Sequence, residues 1–122
     1  MDIVTNKSIY SQSTNESIIV TAINISNQNL YYWWPSFFAS LQIRKGNTWV
    51  DLGAWYNIIA IPPGKLSIAP GDTVHVPVLN SNEEIIKDLG EYRISLEIFK
   101  EPNLTQLLST KYRVSNIFEI IN

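Results

Sequence analysis

The chain has 122 residues, of which 45% are hydrophobic and 16% charged, a formal net charge of −2 and no cysteine. That length and balance suit one folded domain over residues 1–122, able to bury roughly two thirds of its unfolded surface, and exclude a disordered chain. Without cysteine there is no disulfide framework, thiolate metal site or cysteine nucleophile, and Lys and Arg scattered singly offer no phosphate-neutralising patch, so no nucleic-acid partner is expected. No apolar run reaches the ~20 residues of a membrane span, and residues 1–7 lack the apolar centre of a signal peptide; an exported form would be a mature or trimmed one.

In chain order, residues 3–10 read as an opening edge strand closed by the polar cluster 11–16. Residues 17–25 are rich in β-branched side chains, with Ile18, Val20 and Ala22 on one face and Ile19, Thr21, Ile23 and Ile25 on the other; two apolar faces predict a central strand. Turn residues 24–29 lead to the densest feature of the chain, residues 30–38, six of whose nine residues are aromatic. Pro35 cannot donate to a sheet ladder and so divides that stretch. Residues 39–44 alternate cleanly, with Leu41 and Ile43 inward, and Lys45-Gly46-Asn47 predicts a hairpin returning through Trp49, Val50 and Leu52.

Beyond Gly53 the pattern loosens until Pro62-Pro63-Gly64 ends any strand. The turn Pro70-Gly71-Asp72 feeds residues 73–79, where Val74, Val76 and Val78 share a face opposite His75 and Pro77; the proline predicts a sheet edge. Residues 81–89 carry the one helical spacing, Ile85, Ile86 and Leu89 behind Asn82 as cap, enough for one or two turns. The strongest strand follows, Tyr92, Ile94, Leu96 and Ile98 inward against Arg93, Ser95 and Glu97 outward. Residues 107–114 and 116–121 predict a last strand or pair. Seven or eight short strands with turn signals about every ten residues indicate an all-β, two-sheet sandwich.

Leu89-Gly90-Glu91-Tyr92-Arg93-Ile94 resembles the tyrosine corner of Greek-key sandwiches, in which a Tyr opening a late strand bonds back to the preceding loop. With Ser17-Ile18-Ile19-Val20-Thr21 leading to Asn24, Trp49 after a hairpin, Ala69-Pro70-Gly71-Asp72-Thr73 and Ser115-Asn116-Ile117-Phe118, most of the chain resembles a bacterial immunoglobulin-like domain. The resemblance implies an immunoglobulin-like β-sandwich of seven or eight antiparallel strands, from an exported or surface protein. It further implies a non-enzymatic module that spaces, adheres or binds. The lack of cysteine fits a reducing compartment equally well and leaves the cytoplasm open.

Parity carried back from Leu41 would turn Phe37, Trp33 and Tyr31 inward, with Trp33 and Phe37 holding the stretch to the core, and Phe38, Trp34 and Tyr32 outward, with Trp55 and Tyr56 as further contributors. Two readings follow: rings that fill the end of the sandwich, or a platform around residues 31–38 and 55–56 for sugar rings or a partner protein. Gly90 and Tyr92 are structural. His75, the single histidine, lies outward with no nucleophile elbow or oxyanion loop to make a triad, and alone it is a poor zinc ligand. Glu83, Glu84 and Asp88 lack the spacing of a calcium loop and read as a solvated turn, and the sequons at Asn6, Asn15, Asn24 and Asn103 are expected in a chain rich in Asn and Ser. No catalytic residue, metal or cofactor is expected. The functional expectation is a protein-contacting or spacer module, with self-association through an edge strand as one version; the alternatives are a carbohydrate-binding module and a proteinase inhibitor exposing residues 61–65.

Overall fold

The structure, a computed structural model, describes residues 1–35, 38–57 and 64–122. It is all-β. A three-stranded sheet joins β1 (Asp2–Thr5), β4 (Val20–Ile23) and β9 (Thr73–His75), with β4 in the middle as its two apolar faces predict. The pair β3 (Ser17–Ile18) and β10 (Leu79–Asn80) extends those same two strands past a one-residue break at Ile19 and a longer one at Pro77. A five-stranded sheet runs β2 (Ile9–Ser11), β12 (Phe118–Ile121), β11 (Gly90–Leu96), β6 (Ala39–Lys45) and β7 (Thr48–Gly53), while β5 (Leu30–Trp34) pairs with β8 (Gly64–Ile68).

Alternation in the sequence accounts for the core. Ile18, Val20 and Ala22 face inward from one sheet and Leu41, Ile43, Ile94, Leu96 and Phe118 from another, all in one buried cluster. Fully burying one such side chain contributes on the order of 1.5–3 kcal/mol. Tyr10, Phe118 and Tyr92 form a ring series across β2, β12 and β11, edge-to-face at 5.7 Å and stacked at 6.1 Å. The β6–β7 hairpin turns on Gly46 and Asn47, Lys45 facing Thr48; Gly46 has φ 63, the positive value that a two-residue hairpin needs at this place.

Several expectations are corrected. Residues 3–10 are two strands, because the chain crosses between sheets at residues 6–8, where Asn6 trades two hydrogen bonds with Ile19 (both 2.9 Å); β2 then runs parallel to β12, not antiparallel. Residues 81–89 make isolated turns and no helix, since a segment this short cannot offset the cost of nucleation. Ile86 is buried while Leu89 is exposed, so their spacing marks no common face. Val78 is exposed although Val74 and Val76 are buried, because Pro77 breaks the ladder and shifts the parity so that Leu79 turns inward. Among the described residues the one helical turn is a 3₁₀ turn at Thr110–Tyr112, within the run read as strand.

One sequon residue proves structural. Asn24 is fully buried; its Nδ2 donates to the carbonyls of Gln28 (2.8 Å) and Ile68 (2.9 Å), and its Oδ1 accepts from the Ser26 amide (3.0 Å) and hydroxyl (2.7 Å). That one side chain ties the end of β4 to β8.

Candidate ligand-binding face

The structure brings Tyr32, Trp34, Trp55 and Tyr56 together, as the sequence grouped them, but turns them toward one another. Leu30, Tyr32 and Trp34 share one face of β5, and with Leu30 buried that face looks inward. Tyr32 lies 4.6 Å and Trp34 5.6 Å from the buried Phe38 ring; Trp34 stacks parallel to Tyr56 at 5.6 Å, and Trp55 meets Tyr56 edge-on at 5.5 Å. The polar atoms of Tyr56 and Trp55 are engaged too. The Tyr56 hydroxyl donates to the Pro35 carbonyl (2.9 Å) and accepts from the Ala39 amide (3.0 Å), and the Trp55 indole donates to the Pro77 carbonyl (3.1 Å). Burial pushes the pKa of Tyr32 up, and that of Tyr56 likewise against the opposing Ala39 hydrogen bond. These four rings are a packed cluster against the core.

Trp33 is the correction that matters most. Instead of holding the stretch to the core it is 40% exposed, because β5 and β6 belong to different sheets and parity does not carry from Leu41 back across Pro35. Phe37 lies outside the described residues, as do residues 61–63 of the segment considered for proteinase inhibition; Gly64 and Lys65 of that segment belong to β8. Gly90 and Tyr92 stand at the entry to β11, where Gly90 has φ 145 and the Tyr92 hydroxyl donates to the Asp88 carbonyl. Burial and the nearby Asp88 raise the Tyr92 pKa. His75 is exposed, Asp88 pairs with Lys45 (3.1 Å), and no cluster of metal-ligating side chains occurs among the described residues.

What lies beside Trp33 follows from strand pairing. β11 continues past Leu96: the Glu97 amide donates to Phe38 (2.7 Å), and Phe99 exchanges two backbone hydrogen bonds with Tyr31 (3.0 and 2.8 Å). Trp33 of β5 and Glu97 lie beside that bridge. Together with Phe99 and Leu104 they line an open, mostly apolar cleft of about 490 Å³. Leu104 has φ 55, an uncommon backbone for a non-glycine residue, of the sort found where a site is held in a set shape.

Glu97 also lines a second groove of about 580 Å³ and mixed character on the outer face of the five-stranded sheet, where Gln42 of β6, Asp51 of β7, Ser95 of β11 and Arg113 stand among Ala54 and Leu107. Arg113 is fixed by Nε donating to the Leu108 carbonyl (2.9 Å) and Nη1 to the Ser95 hydroxyl (3.1 Å). Arg93 donates to Gln42 (2.7 Å) and lies 4.4 Å over the Trp49 ring. Burial, reinforced by Arg113, lowers the Arg93 pKa. Burial raises that of Glu97; Arg113 opposes the shift and Asp51 adds to it. Among the described residues the Glu97 side chain accepts no hydrogen bond and joins no ion pair. Sequence reasoning placed Arg93, Ser95 and Glu97 outward but did not single them out; a polar row on the most regular strand was the available signal, and nothing in the sequence pointed to Arg113. In comparisons with known proteins, no family model and no curated sequence matches this chain.

Proposed function

We propose that the chain is a non-catalytic binding module built on an immunoglobulin-like sandwich, and that it binds through the outer face around Glu97. Two features support the fold reading. The opening strand divides between two sheets and ends parallel to the last one. The Tyr92 hydroxyl reaches back to the loop before its own strand, as a tyrosine corner does.

The observation that carries the binding reading is Glu97 itself: a partly buried carboxylate that, among the described residues, accepts no hydrogen bond and joins no ion pair, beside an exposed tryptophan. A carboxylate so placed costs stability, and the cost is expected where a ligand supplies the missing partners. The test is affinity capture from an extract of the source cells and their surroundings, with the wild type, Glu97→Gln, Trp33→Ala and the control Ile19→Thr, all shown folded by circular dichroism. Material retained by the wild type and the control should be lost by both face variants. Equal retention by all four proteins would end the reading.

A further inference from the structure

Resting on that reading, we propose that the ligand is a neutral saccharide of at least two rings, one seated against the Trp33 indole and the next held by Glu97 and Arg113. Glu97 lies on the linings of both clefts, so an apolar surface and a set of polar groups meet at one carboxylate. A pyranose has that division: one face of C–H groups that packs on an exposed aromatic ring, and a rim of hydroxyls that both donate and accept. Each cleft lies within the roughly 300–1,000 Å³ of small-molecule sites.

The polar groups favour a neutral molecule. Within the groove Asp51 and Glu97 face the single guanidinium of Arg113, and Arg93 reaches only its edge through Gln42, so there is no surplus of positive charge to attract a phosphate. Carboxylate oxygens accept, guanidinium nitrogens donate, and the amide of Gln42 does both; adjacent hydroxyls of a sugar can meet a planar group of this kind in pairs. Arg113 is already oriented by Leu108 and Ser95, which leaves guanidinium N–H groups toward the groove and little orientation left to fix on binding.

An extended peptide fits less well. Peptides added to sheets bind along an edge, where backbone groups are unpaired. The site lies on a face, over the end of β11, whose backbone is bonded there to β6 on one side and to Arg113 and Ser115 on the other, so recognition must come from side chains.

The experiment uses the whole chain on an array of neutral and acidic glycans, followed by calorimetric titration with the oligosaccharide retained most strongly. A neutral oligosaccharide should bind, with an affinity that changes less than about twofold between low and high salt. Trp33→Ala should weaken it about tenfold or more, and the isosteric Glu97→Gln should also weaken it while the fold is retained. An empty array, retention confined to acidic glycans, or titrations unchanged in Trp33→Ala would each overturn the proposal. If the array is empty while captured material is still lost by Glu97→Gln, the saccharide falls and the binding face stands. If neither assay depends on the face residues, both fall.

Discussion

At Glu97, burial and the nearby Asp51 outweigh the attraction of Arg113, so its carboxyl holds its proton more tightly in the folded chain than in the unfolded one. The sign follows directly. The folded state binds more proton between the ordinary glutamate pKa and the raised one, so stability falls as pH rises through that window and the cost persists above it. Glu97→Gln is therefore expected to raise Tm at pH 7 and to change it little at about pH 3.5, below the ordinary range. A gain of equal size at both pH values, or a loss at pH 7, would show that the charge is not what burial disfavours. Tyr92 works in the other direction. Its ring is buried and its hydroxyl has a partner, so Tyr92→Phe should cost about 1–2 kcal/mol in denaturant unfolding. An unchanged midpoint would mean that the corner hydrogen bond contributes nothing.

Individual strands were legible where one face is buried. The alternation at Tyr92, Ile94, Leu96 and Ile98 corresponds to four fully buried side chains on the middle strand of the five-stranded sheet. The hairpin at Gly46 was legible for the same reason, with a glycine at the turn to fix its register. Residues 17–23 test the principle within one strand. Ile18 is fully buried and its neighbour Ile19 is 47% exposed, so Ile18→Ala should cost about 2–5 kcal/mol. Ile19→Thr should stay within about 0.5 kcal/mol, and similar losses at the two positions would contradict the parity. Alternation failed where the chain changed sheets, at residues 6–8 and at Pro35, because parity has meaning only along one continuous ladder. Trp33 was misplaced for that reason alone. The spacing of Ile85, Ile86 and Leu89 failed differently: a helical period over nine residues is also what irregular turns with one buried side chain produce.

On the scale of the molecule, the two sites differ in how they are assembled. The packed ring cluster draws on Tyr32, Trp34, Phe38, Trp55 and Tyr56, near enough in sequence for composition alone to group them. The binding face draws on Trp33, Asp51, Glu97 and Arg113, which only the order of strands brings together. Each of those four is unremarked in its own segment: one ring among many, and three charged side chains on outward faces. Aromatic density therefore pointed to the part of the chain that completes the core, and the exposed ring beside it became visible only once the Tyr31–Phe99 bridge set it near Glu97.

The most direct measurement of where this protein binds is a titration of the isotope-labelled chain with the array-selected oligosaccharide, followed through the indole N–H signals of its four tryptophans and the backbone amides. The account predicts that the Trp33 indole and the amides of Glu97 and Arg113 shift while Trp34 and Trp55 stay in place. Shifts at Trp34 and Trp55 with Trp33 unmoved would contradict it.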